Sequence, residues 1–206
     1  MLKKPIIALQ TVVFCLFAIC LGVSVAHATL AGTTYSAFAN EAGTTNQIST
    51  TGTASTGLAS ASVFDNSMYA GYTGVGNGSG AGAGMHWTAP ADTTFRVVFG
   101  YTITNPLGNN NTSFVVSGLN PSTYDVLFNI ITYSGSGNFD QTLSLKAGEQ
   151  LSIMANAVGP DGNGGLAVNL TNLDVSAVPI PGAVYLLGPG LVGLVGLRRR
   201  FQFWWN

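Results

Sequence analysis

Few residues in this chain have the types and spacing that chemistry requires. Of its two histidines, His27 lies beside an N-terminal apolar run and His86 stands alone in Met85-His86-Trp87. A single imidazole beside a tryptophan at the start of a strand reads as structural. Zinc needs three or four nitrogen, sulfur or carboxylate ligands, and the central region offers one imidazole and no thiol. No Gly-x-Ser-x-Gly elbow is present, so a serine hydrolase of that kind has no support. Glycoside hydrolysis needs two carboxylates facing each other across a cleft. The eight acids Glu41, Asp65, Asp92, Asp125, Asp140, Glu149, Asp161 and Asp174 form no recognisable pair. Asp161-x-Asn163 begins like a calcium loop, but Leu166 stands where glycine is required and Asn172 where the bidentate glutamate belongs. The sequence assigns no catalytic residue, metal or cofactor. It reads as a protein that is not an enzyme.

Binding is better served than catalysis. Flat aromatic faces with polar neighbours stack on pyranose rings, and Tyr69, Tyr72, Trp87, Tyr101 and Tyr133 are the candidates for such contacts. The alternative is that they are core or rim aromatics in a domain short of large side chains.

The elements that would position these residues are strands. In Thr94 to Thr104, Phe95, Val97, Phe99, Tyr101 and Ile103 alternate with Arg96, Val98, Gly100, Thr102 and Thr104, the period of two of a half-buried strand. Tyr124 to Tyr133 carries Val126, Phe128 and Ile130 on one side and Leu127, Ile131 and Tyr133 on the other, which predicts a central strand. Phe139 to Leu145 and Gln150 to Ala155 follow as further strands. In the last, Leu166, Val168 and Leu170 give way to Leu173 and Val175 across Thr171-Asn172, a change of phase that predicts a β-bulge. Between Thr29 and Ser62 thin strands with long loops are expected. Glycine at every second position from Gly74 to Gly84 reads as the core of an exposed, flexible loop spanning 71–84. Turn residues at about ten-residue intervals, with no helical periodicity, predict an all-β fold. The expected architecture is an antiparallel β-sandwich or jelly roll of about eight strands. Leu119, Pro121 and Tyr124 resemble the tyrosine corner of fibronectin-like sandwiches, with the tyrosine one residue early.

Composition and charge narrow the partners. Only 7% of the residues are charged, against roughly 25% in an average soluble protein. Lys3 and Lys4 open the sequence and Arg198, Arg199 and Arg200 close it. Between them two bases, Arg96 and Lys146, against eight acids leave a net charge of −6. A region of that sign repels phosphate backbones, which excludes nucleic acid as a partner. Both cysteines, Cys15 and Cys20, fall in the N-terminal apolar run, so the central region has no disulfide.

The two ends read as targeting segments. Lys3-Lys4, an apolar Ile6 to Val25 and the small residues Ala26 and Ala28 describe a signal peptide over 1–28, cut by signal peptidase before Thr29. The exported domain is 29–177. The tail, 178–206, begins with Val178-Pro179-Ile180-Pro181, continues as an apolar helix over 182–197 and meets a basic cluster at 198–200. Those 16 residues span about 24 Å as a helix, short of a hydrocarbon core of about 30 Å. The membrane-stop arginines Arg198, Arg199 and Arg200 hold their end in the cytoplasm, and Lys3-Lys4 do the same at the start, leaving the acidic domain outside.

This tail resembles a PEP-CTERM sorting domain in its Val-Pro-hydrophobic-Pro variant. The resemblance rests on Val178 to Pro181, Leu186-Leu187-Gly188, Gly190-Leu191, Gly193-Leu194, Gly196-Leu197 and the arginines. It implies a Gram-negative exporter, recognition by an exosortase, transient anchoring in the inner membrane and a final place at the cell surface or in an extracellular matrix. Family members are tied to exopolysaccharide and biofilm. Ile180 in place of the usual glutamate, Pro189 inside the helix and the added Phe201 to Asn206 depart from the pattern. The leading expectation is thus a non-enzymatic surface or matrix protein, with a carbohydrate-binding module for exopolysaccharide as the alternative and a secreted hydrolase third. In cells carrying an exosortase, intact-mass measurement is expected to show loss of the residues that follow the proline motif. An intact tail on protein recovered from the outer surface counts against sorting.

Overall fold

The computed structural model describes residues 30–41, 44–73, 79–106, 112–159 and 165–178. The described residues up to Ala177 belong to one unit, His27–Ala177. A second unit, Met1–Ala26 with Val178–Asn206, lies outside them but for Val178. The signal peptide, Pro179 to Pro181, the tail helix and the arginines are therefore outside the described residues.

The described residues of the domain are all-β: twelve strands in two antiparallel sheets rather than about eight. They are β1 (Thr34–Glu41), β2 (Thr44–Ile48), β3 (Gly52–Ser55), β4 (Ala59–Phe64), β5 (Ser67–Tyr72), β6 (Ser79–Thr88), β7 (Thr93–Thr104), β8 (Thr112–Asn120), β9 (Asp125–Thr132), β10 (Gly135–Leu145), β11 (Gln150–Gly159) and β12 (Leu166–Ala177). One sheet runs β2-β1-β6-β11-β8-β9 and the other β10-β7-β12-β5-β4-β3. The undercount falls among β1 to β6. Their alanine, serine, threonine and glycine give almost no hydropathic contrast between faces.

Where contrast exists, the strands lie as their periodicity predicts. Phe95, Val97, Phe99 and Ile103 of β7 are buried while Arg96 and Thr102 are exposed. The rings form one cluster: Phe99 meets Phe114 edge-on at 5.1 Å and stacks on Phe139 at 4.8 Å. The change of phase in β12 is a bulge, with register lost between Thr171 and Asp174 and Asn172 at φ 53°.

The glycine run departs most from expectation. The expected loop over 71–84 contains the end of β5 and the first six residues of β6, an interior strand paired with β1 and β11. Ala81, Ala83, Met85 and Trp87 point inward and are buried. Gly80, Gly82 and Gly84 alternate with them on the outer face, where neighbours cover the bare backbone. Phe38, cross-strand partner of Gly82, lies over it, so that a Cβ there would stand 2.7 Å from Phe38 Cζ. Phe128 covers Gly118 in the same way from β9, on the core side. A ring laid on a glycine restores the packing and backbone shielding that the missing side group would have given.

Two further expectations are corrected. β9 is an edge strand, not a central one, and Val126, Leu127 and Ile131 are exposed. Only its inward residues, Phe128 and Ile130, reach the core. Tyr124 forms no tyrosine corner: it is 81% exposed at φ 60°, in the β8–β9 connection. Its backbone N–H donates to the Asn120 carbonyl at 2.8 Å, which turns the backbone without the hydroxyl.

The alanines also set the distance between sheets. Where Ala37, Ala39, Ala81 and Ala83 face Ala59, Ala61 and Ala70, Cα atoms of β1 and β6 come within 8 Å of those of β4 and β5. Sheets usually pack about 10 Å apart. The sandwich therefore tapers from its phenylalanine half to its alanine half.

Backbone contact makes Gly80 less replaceable than Gly82. A Cβ at Gly80 would stand 2.8 Å from the Ala157 carbonyl oxygen, whereas at Gly82 it meets an exposed ring that can swing aside. Gly80→Ala is expected to lower stability by about 1–3 kcal/mol, and Gly82→Ala by less, in denaturant unfolding. The reverse order would show that the rings, not the backbone, set the limit.

Candidate functional site

A cavity opens where two elements stop matching. β5 pairs with β12 only as far as Thr171, opposite Ser67, whereas β7 follows β12 to Ala177. The β4–β5 hairpin turns at Asp65-Asn66, and the Asn66 carbonyl accepts the Leu173 N–H at 2.8 Å. Beyond that bond one edge of β12 is left uncovered by β5. The gap is a cavity of about 360 Å³, at the lower end of the roughly 300–1,000 Å³ of small-molecule sites.

Its floor is apolar and its rim polar. Met85, Leu173 and Val175 are buried, and Leu30 packs against the core beside them. Asp65, Asn66 and Asn172 stand exposed around the opening, with Tyr35, Thr33 and Asp174 half-buried. The bulge puts Asn172 there, in a left-handed conformation that asparagine tolerates better than most residues. The Tyr35 hydroxyl bonds Asp65, and burial, then the charge and hydrogen bond of Asp65, push its pKa above the usual tyrosine value.

Such a rim has both donors and acceptors. Asn66 and Asn172 offer amide N–H and C=O groups and Asp65 and Asp174 offer acceptor oxygens. Among the described residues no group of three or more histidine, cysteine, aspartate or glutamate side chains is placed to hold a metal. The sequence pointed to Thr171-Asn172 only as a bulge. The pairing of that bulge with the Asp65-Asn66 turn is a long-range contact that no local pattern carries.

The five aromatics proposed for sugar stacking do not come together. Trp87 is buried, edge-on to Phe95 at 5.8 Å, and its indole N–H donates to the Ala31 carbonyl at 3.2 Å. Tyr72 is buried against Gly159. Tyr101 packs on Phe114 at 4.9 Å. Trp87 and Tyr72 fill the core and offer no face to a ligand, while Tyr101 is half-buried against it. Alternating glycines around Met85-His86-Trp87 hid the inward period of two. Tyr69 lies half-buried over Gly71, and Tyr133 is exposed just past β9.

No protein-family model matches the sequence, and no curated protein is similar to it. Among solved structures, the adhesin domain of Epf from Streptococcus pyogenes overlaps with a TM-score of 0.40 and 14% identity, covering 71% of this chain and 60% of that one. A structure described as "CBM4 structure and function" overlaps with a TM-score of 0.38 at 14% identity, over 57% of this chain and 75% of that one. The CBM22-1 xylan-binding domain from Paenibacillus barcinonensis Xyn10C gives 0.35 at 10% identity, over 62% and 86%. Overlap of this extent assigns neither a family nor a ligand.

His86 lies apart from the cavity, on the outer face of β6 between Thr34 of β1 and Ser152 of β11. It sits near the end of its strand rather than at the start. Partial desolvation by these strands lowers its pKa below the ordinary histidine value. The unfolded protein then binds this proton more readily than the folded one, so the contribution to stability is complete above about pH 6.5 and declines as pH falls below it. Thermal unfolding is expected to shift to lower temperature between about pH 7 and pH 5, with a shallower slope in His86→Gln. Equal slopes would place the pH dependence in other groups.

Proposed function

We propose that the domain binds carbohydrate without acting on it, at the cavity between the β4–β5 turn and the β12 bulge. The observation that carries this reading is the composition of the site: planar amides and carboxylates (Asn66, Asn172, Asp65, Asp174) around an apolar floor of Leu30, Met85, Leu173 and Val175. A sugar ring presents hydroxyls at its edge and C–H groups on its faces, which suits polar groups that fix orientation above an apolar surface.

The tail supplies the setting. Val178-Pro179-Ile180-Pro181, the apolar run after it and Arg198 to Arg200 support an exported protein, held for a time in the inner membrane, sorted by an exosortase and finally placed at the cell surface or in the matrix. Exopolysaccharide is then the natural carbohydrate within reach.

Two substitutions test the site while leaving the backbone in place. Asn172→Gly removes the amide but keeps a residue suited to positive φ, and Asn66→Ala keeps the carbonyl that bonds Leu173. With the full-length protein in mild detergent, calorimetry against a panel of neutral and charged oligosaccharides is expected to find a saturable ligand. Each variant should weaken it several-fold, as loss of a hydrogen bond of about 0.5–1.5 kcal/mol requires. A flat response across the panel, or binding that both variants leave unchanged, rules this site out.

A further inference from the structure

The charges around the cavity restrict what sugar it accepts. Asp65 and Asp174 line it, and among the described residues no lysine, arginine or histidine does. Asp65 accepts a hydrogen bond from Tyr35, which spends one lone pair and leaves the carboxylate its charge and further acceptor sites. Neither of the two cations between the terminal segments lines the cavity. Lys146 is in the β10–β11 turn. Arg96 donates from Nε to one Asp140 oxygen at 2.7 Å and from Nη2 to the other. Asp174 shares the charge of Arg96 with Asp140, which leaves Asp65 the larger part of the negative charge at the rim. Asp65 and Asp174 make the lining acidic, within a region of net charge −6.

Resting on the carbohydrate reading above, we propose that the cavity takes an amino sugar whose nitrogen is a free ammonium. An ammonium replaces a hydroxyl at the same ring position with little change of shape, and its hydrogen bonds to carboxylate are charge-assisted, roughly twice as strong as neutral ones. Uronic acids and sugars bearing sulfate or phosphate bring negative charge to the rim and are disfavoured. Acetylation of the nitrogen removes the charge and adds bulk, so an N-acetyl sugar loses the advantage. The apolar floor accepts any of these rings alike, which leaves discrimination to Asp65 first and Asp174 second.

The test compares β-1,4-linked hexamers that differ in one substituent: cellohexaose with a hydroxyl at C2, the glucosamine hexamer with an ammonium, the N-acetylglucosamine hexamer with an amide, and a glucuronate hexamer with a carboxylate at C6. Titrations use the full-length protein in mild detergent at about pH 5, which keeps the amine of the glucosamine hexamer protonated. The glucosamine hexamer is expected to bind at least about tenfold more tightly than cellohexaose. Asp65→Asn should reduce that ratio to near one by weakening the glucosamine hexamer more than cellohexaose. If cellohexaose, the N-acetyl hexamer or the glucuronate hexamer binds as tightly as the amine, the amino-sugar assignment fails and the carbohydrate site stands. Preference for the amine that survives in Asp65→Asn/Asp174→Asn places the ammonium elsewhere and overturns the assignment too. Absence of binding by all four, and by the wider panel, removes both.

Discussion

A strand without side chains has to be held by its neighbours, and β6 is such a strand. Its outer face is glycine up to Gly84, ahead of His86 and Thr88, and its inner face begins with alanine. It lies between β1 and β11 because the facing sheet comes close and because Phe38 shields its backbone from outside. Backbone hydrogen bonds between strands contribute little net free energy when water competes for them. Covering them is therefore as important as making them. The same device recurs at Gly118 beneath Phe128, so a composition that looks unsuited to a core builds one by sharing large residues across strands.

How much of this is legible in the sequence depends on hydropathic contrast. β7, β10, β11 and β12 are readable because large apolar residues alternate with polar ones, and the bulge in β12 is readable as a slip in that alternation. The glycine run is not, since Gly-Ala alternation has a period of two with no difference in hydropathy to reveal it. The same lack of contrast hides the place of Trp87, whose inward position continues the series from Ala81 through Met85. In β9 the pattern misleads in the other direction. Apolar residues on both faces normally mark an interior strand, but the β8–β9 hairpin ends its sheet and leaves Val126, Leu127 and Ile131 outside.

The cavity shows why a site is harder to read than a strand. Its parts come from four places in the sequence: the approach to β1, the β4–β5 turn, the middle of β6 and the bulge of β12. Only the bulge has a local signature. What joins them is a mismatch of lengths, β5 ending before β12 does. Length mismatch between distant strands is a property of the sheet, and no single segment carries it.

The taper of the sandwich makes its alanine half the less forgiving one. Along the alanine line the sheets are already closer than ordinary packing allows, so added volume there cannot be absorbed in place. Interiors packed to this degree transmit strain. A methyl group added at Ala61 or Ala83, both buried, would have to part the sheets at that line.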